Sequence, residues 1–194
     1  TVIAQQVLGG QGYIEESEMS QFVRDARIAM IYEGTNGIQA IDLVGRKLSA
    51  AGGKYMINFI GDVQSFIKNN QDNKTLLSEF IIPLKSSIDD LEKSLDYFLK
   101  HGLHDPTNAL SGATDFLHLC GHVILGFFWS QIAKTCVTQI EENCNVEFNH
   151  AKLVTGKFYM SRSLPETKLR LARILTGKKD VMDSAQDTFI SSTF

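Results

Sequence analysis

Proline and cysteine are both scarce in this chain, with three of each among 194 residues. So few prolines leave long stretches in which nothing interrupts a helix, and with few long polar tracts they exclude a disordered chain. Cys120, Cys136 and Cys144 are an odd count without metal-type pairing, which excludes a disulfide scaffold and fits a reduced intracellular compartment. No sign of charge dominates either. Lys and Arg number 19 against 22 Asp and Glu, a formal net charge of −3. The basic residues are scattered, which argues against a dedicated nucleic-acid surface. Long hydrophobic runs are missing as well. The most apolar one, Leu117 to Trp129, contains His118, His122 and two glycines and falls short of the ~20 apolar residues of a membrane span. Thr1 to Gln6 has neither a basic start nor a cleavage pattern. These absences predict a soluble intracellular protein, of bacterial cytoplasmic type or otherwise intracellular.

Apolar residues at spacings of three and four are abundant. Tyr55, Met56, Phe59, Ile60, Val63, Phe66 and Ile67 form one such stripe, and Leu76 through Phe98 a longer one in which Pro83 is expected to kink or split the helix. Thr107 to Ile140 is apolar on nearly every side, as expected of a helix buried in a bundle. Phe148 to Met160 predicts another helix, ending near Pro165. Leu169 to Leu175 predicts a short one, and the tail to Phe194 is loosely amphipathic. No β alternation of matching strength occurs, so the fold class is all-α. Ala51-Gly52-Gly53 is the expected internal boundary, dividing the chain into residues 1–52 and 53–194.

Two stretches carry chemistry. In Ile31-Tyr32-Glu33-Gly34-Thr35-Asn36 a carboxylate lies between an apolar pair and a glycine, just ahead of a helix that Thr35 can cap. Gly34 lets the backbone bend and lets a ligand approach the main chain. A carboxylate walled by Ile31 and Tyr32 is desolvated, which strengthens it as a base for a weakly acidic C–H proton. The plainer alternative is an acidic residue favoured by the dipole of a helix N-terminus. The other stretch is Gly9-Gly10-Gln11-Gly12, whose glycines either admit a phosphate or ribose or simply end a helix. His118 and His122 share a helix face at i, i+4 but lack a third ligand, so no metal site is expected. Trp129, Phe127 and Phe128 read as core or helix interface.

Tyr32-Glu33-Gly34-Thr35-Asn36, preceded by Arg24-Asp25-Ala26-Arg27, resembles the C-terminal signature of acyl-CoA dehydrogenases, and Gln6-Val7-Leu8-Gly9-Gly10-Gln11-Gly12-Tyr13 resembles that family's second signature. The resemblance implies the end of the family's C-terminal helical domain in residues 1–52, followed by a helical extension like that of 3-methylthiopropionyl-CoA dehydrogenase-like enzymes. It implies FAD as cofactor, Glu33 as the catalytic base, and Glu33 and Gly34 at the acyl-CoA substrate. Gln6, Gly9 and Gly10 would contact FAD held by a neighbouring subunit, with Thr35 and Asn36 against the flavin. A homo-oligomer and an acceptor such as electron-transfer flavoprotein follow. Gln21 stands where many relatives carry a basic residue, and Gly37 where many carry a long polar one. Because the chain opens inside a helical pattern and without methionine, it is expected to be part of a longer polypeptide. The competing reading is a helical oligomerisation or partner-docking module with no activity of its own.

Overall fold

A computed structural model describes residues 1–102 and 104–182; the amphipathic tail expected beyond them lies outside the described residues, as does Leu103. No strand occurs among those described. Packing divides the chain into two units, Thr1–Ala40 and the residues from Ile41 onward.

The first unit holds helix α1 (Val2–Val7), a tight turn at Gly9–Gly12, helix α2 (Met19–Ile28) and the start of α3 (Thr35–Asp42). The Ser17 hydroxyl accepts from the Met19 N–H at 3.4 Å, but left-handed Glu18 intervenes and delays the helix to Met19. Apolar side chains of α1 are left largely open: Ile3 is 81% and Val7 82% exposed.

The second unit holds the core. The chain continues from α3 through a widened turn at Leu43–Lys47 and reverses at Ala51, Gly52 and Gly53, all three left-handed. The expected boundary therefore coincides with a change of direction. The division by packing falls earlier, because Leu43, Val44 and Leu48 pack against the second unit's core. Then follow α4 (Lys54–Asn70), α5 (Lys74–Leu76), α6 (Ile82–Tyr97), α7 (Pro106–Glu141), α8 (Val146–Phe158), α9 (Glu166–Thr176) and α10 (Lys179–Met182). The stripe is split ahead of Pro83, as expected. A widened turn at Leu77–Ile81 precedes it, and the proline falls in the first turn of α6, where its missing N–H has no intrahelical partner to lose.

Helix α7 lies against α6, α8 and α9. Phe80, Leu84, Ile88, Phe116, Leu119 and Ile174 are all at most 2% exposed and form one cluster. Phe98 meets Phe116 edge to face, with ring centres 4.9 Å apart, an arrangement worth about 1 kcal/mol beyond burial. At Gly156 a Cβ would stand 3.0 Å from Phe80 and 3.1 Å from Trp129, so the absent side chain sets how closely α8 approaches. The sequence expectation that α7 is buried on all sides is not met. One side is buried and the opposite side, including Leu125 and Phe128, is exposed. By length and composition α7 is also apolar enough to cross a membrane, which the shorter run Leu117–Trp129 did not indicate.

Polar ties fix the helix ends. Asp105 accepts from the Thr107 N–H at 3.0 Å, capping α7, and its other oxygen pairs with the Lys178 ammonium beyond α9. The bonds from Lys178 and Thr107 hold the Asp105 carboxyl down at about 2. Inside the bundle Thr167 donates to Asp90 at 2.8 Å, and Arg170 to Asp115 at 2.9 Å.

His122 lies 3.4 Å from Glu166, and the Tyr159 hydroxyl donates to the His122 carbonyl at 3.1 Å. Among the described residues no group of three His, Cys, Asp or Glu is placed to hold a metal. Desolvation is the largest influence on His122 and lowers its pKa; Arg170 and His118 act the same way, while Glu166 opposes them. A His whose pKa is lower folded than unfolded binds its proton more readily in the unfolded chain, so stability present above about pH 6.5 is lost as pH falls below it. The stability difference between wild type and His122→Gln should therefore narrow between pH 7 and pH 5 in urea titrations. A difference that widens on acidification would show that Glu166 outweighs burial.

Candidate functional site

The stretch after α2 is built by backbone strain. Glu33, Gly34 and Thr35 are successively left-handed, with φ of +52°, +85° and +73°. Gly34 suits this conformation, and a Cβ there would stand 3.0 Å from Ile38. Glu33 and Thr35 do not suit it. A left-handed non-glycine residue costs of order 1–3 kcal/mol, and a β-branched one is a genuine outlier. Three hydrogen bonds hold the turn: Thr35 N–H to Tyr32 O at 3.2 Å, Asn36 N–H to Met30 O at 3.2 Å, and Gln39 Nε2 to Glu33 O at 2.9 Å. The backbone N–H groups of Glu33 and Gly34 make no hydrogen bond among the described residues. The turn thus holds one carboxylate beside two free amide donors, ahead of α3.

Thr35 does not cap α3 from outside. It is the helix's first residue, and its hydroxyl makes no hydrogen bond among the described residues. Glu33 is exposed, with Ile31 and Tyr32 about half exposed. The apolar wall expected around the carboxylate is therefore not supplied within residues 1–40, where no element packs over it. A shallow cavity of about 340 Å³ in this unit is lined by Glu15, Glu18, Gln21 and Phe22 and excludes Glu33.

The glycine turn is tied back to α1 by Gln5 Nε2, which donates to Gly12 O at 3.1 Å. Gly12 is the sterically required glycine, since a Cβ would meet Gln5 O at 2.5 Å. Gly9 and Gly10 have nothing within 4 Å on the Cβ side, leaving main chain that a planar or phosphorylated ligand can approach. Gln6, Gly9, Gly10 and Thr35 are exposed and Asn36 partly so. No hydrogen bond joins the two turns among the described residues. Open backbone, free amides and a carboxylate fit one edge of a cofactor and substrate site, without enclosing either.

Sequence reasoning missed Gln5 and Gln39, which pin the two turns. Their signal is only an amide side chain seven residues before Gly12 and six after Glu33. At the position where many relatives are basic, Gln21 reaches Asp25 one helical turn away at 2.6 Å. A side chain on Gly37 would meet only the Thr35 hydroxyl, at 3.7 Å.

Among the described residues the chain is all-helical, with a strained carboxylate turn in the first unit and a helical bundle in the second. A family model described as acyl-CoA dehydrogenase, C-terminal domain, matches residues 1–48, and one described as acetyl-CoA dehydrogenase C-terminal like matches residues 59–185. The chain belongs to the acyl-CoA dehydrogenase family. It is 31% identical over 169 residues to a 3-methylmercaptopropionyl-CoA dehydrogenase of Ruegeria pomeroyi, covering 87% of this chain and 29% of that protein. A broad-specificity linear acyl-CoA dehydrogenase of Mycobacterium tuberculosis is 27% identical over 192 residues, 95% of this chain and 31% of its own length. The mitochondrial short-chain specific acyl-CoA dehydrogenase of Bos taurus is 47% identical, but over 47 residues, 24% of this chain and 11% of its own. The chain thus spans about three-tenths of the length of the longer relatives.

Proposed function

We propose that this chain supplies the catalytic base and part of the flavin-contacting surface of an FAD-dependent acyl-CoA dehydrogenase, which converts an acyl-CoA thioester to the trans-2-enoyl-CoA. The observation that carries the reading is the left-handed run Glu33–Gly34–Thr35, held by Gln39 and leaving two amides free. Strain of that kind persists where it positions something. Glu33 takes the α-proton. Its own amide donates to the thioester oxygen, where negative charge develops as that proton leaves. Gly34 admits the thioester to the backbone. FAD, when bound, supplies the acceptor for the β-hydrogen. Gln6, Gly9 and Gly10 would hold FAD of a neighbouring subunit through their open main chain, and Thr35 and Asn36 would hold the flavin. The apolar cover missing around Glu33 comes from parts of the enzyme beyond this chain, and would exclude water from the reacting atoms.

The assembly is a soluble intracellular homo-oligomer, a dimer or tetramer, that passes electrons to an acceptor such as electron-transfer flavoprotein. Residues 1–52 carry the site and residues 53–194 the helical extension.

The test uses a polypeptide of the relatives' length that contains this chain. Purified, it should be yellow, and anaerobic mixing with a panel of acyl-CoA thioesters should bleach the flavin with at least one of them. Protein that binds no flavin, or whose flavin no acyl-CoA reduces, would sink the proposal. The 194-residue chain alone holds only one edge of the site. It should be helical, colourless and inactive, since so few contacts do not offset the freedom FAD loses on binding.

A further inference from the structure

Gln39 grips the peptide group that joins Glu33 to Gly34. We infer that Gln39 is a positioning residue, which aims and strengthens the Gly34 N–H as a second donor to the thioester oxygen, beside the N–H of Glu33. With Glu33 as the base, the reading on which this rests, two backbone donors then meet the charge that proton removal creates.

No peptide bond described is cis, so each carbonyl points away from the N–H of the same planar group. Each free amide of the turn is therefore the far side of a carbonyl. The Glu33 N–H lies opposite Tyr32 O, which accepts from the Thr35 N–H at 3.2 Å. The Gly34 N–H lies opposite Glu33 O, which accepts from Gln39 Nε2 at 2.9 Å. Both carbonyls are held from within the turn, and both N–H groups are left pointing out of it. Glu33, Gly34 and Thr35 are successively left-handed, so their peptide groups line up as in one turn of a helix and the two N–H groups face the same way. Two adjacent backbone donors facing one way suit charge that develops on a single oxygen.

Of the three bonds that hold the turn, the one from Gln39 comes from a side chain, so it is the one a substitution removes. Helix α3 brings that side chain within reach. It folds back on the turn so closely that a Cβ on Gly34 would stand 3.0 Å from Ile38, the neighbour of Gln39. An amide also suits the task in charge. No Lys or Arg occurs between Arg27 and Arg46, and a cation beside Glu33 would favour its ionised form and weaken it as a base. A neutral donor on Glu33 O avoids that cost. The same bond polarises the peptide group and makes its N–H the stronger donor.

The experiment uses the flavin-loaded polypeptide of the relatives' length. Gln39→Met keeps the reach of the side chain and loses the donor; Gln39→Glu keeps its shape and sets an acceptor against Glu33 O. Both variants should retain flavin, helical circular dichroism and substrate affinity. Flavin reduction by acyl-CoA should slow about 10-fold, less than the 10²–10³-fold that follows outright loss of an oxyanion donor. A second readout is the infrared spectrum of bound trans-2-enoyl-CoA, isotope-labelled at its thioester carbon. In wild type and in Glu33→Gln the carbonyl band should lie at lower wavenumber than in solution, because two donors weaken the bond. In both Gln39 variants it should move part of the way back. A band that stays in place, or reduction at the wild-type rate in the Gln39 variants, would overturn the inference. Loss of flavin or of helical content would overturn it too, by making Gln39 a structural residue. Glu33→Gln separates this role from the base itself. Normal reduction there removes the base and the role of Gln39 together, whereas slow reduction there beside normal reduction in Gln39→Met removes the role of Gln39 alone.

Discussion

Replacing Glu33 with Gln, in a polypeptide of the relatives' length, should lower the rate of flavin reduction by acyl-CoA at least about 10²-fold, the low end for loss of a general base. The exchange keeps the shape of the side chain and the backbone that presents it. Gln39 bonds the main-chain carbonyl of residue 33 rather than the carboxylate, so the turn and its free amides remain. Flavin content should be unchanged, because Gln6, Gly9, Gly10 and Thr35 are untouched. The loss should fall on the chemical step and not on substrate binding, since the carboxylate acts only once the α-proton moves. Stopped-flow spectroscopy under anaerobic conditions separates these quantities. Reduction of Glu33→Gln at near the wild-type rate would place the base on another residue.

Phe116→Ala should be strongly destabilising, costing about 3–5 kcal/mol. Phe116 is fully buried on the inner side of α7 and meets Phe98 edge to face. Its neighbours come from different helices, so the cavity left by truncation cannot close by moving one side chain. At 2–4 °C per kcal/mol for a chain of this length the melting midpoint should drop by about 10 °C. Circular dichroism at 222 nm during a thermal ramp measures it. A shift below about 3 °C would mean that the core collapses around the gap, or that Phe116 is less central than its burial indicates.

Much of the second unit was legible in the sequence. The stripe from Leu76 to Phe98 announces its helix by spacing alone, and its members Phe80, Leu84 and Ile88 are core residues. The widened turns at Leu77–Ile81 and Tyr159–Ser163 were not legible. Each fits extra chain into a helix without changing its composition, so the periodic signal passes through. For α7, hydrophobic content was visible but burial was not, because an apolar residue left exposed looks the same in sequence as one facing a core. In the first unit, resemblance singled out Glu33 and the glycine turn. The left-handed backbone at Glu33 and Thr35 left no mark, since nothing in a glutamate or threonine advertises a positive φ. The tie between Asp105 and Lys178 was equally hidden, lying between residues 73 positions apart.

That tie closes α7, α8 and α9 into a ring. The cap at the start of α7 and the anchor beyond the end of α9 are one carboxylate, so neither terminus can fray without releasing the other. Lys178 strengthens the arrangement with a second grip, its N–H donating to Asn108 at 3.2 Å. A linear stack of helices unzips from its ends; a ring has no end from which to start. Residues 105–178 should therefore open as one cooperative block, with amide protection rising and falling together at both margins. Because Lys178 and Thr107 hold the Asp105 carboxyl down at about 2, the ring should stay closed on acidification well below the ordinary carboxylate range.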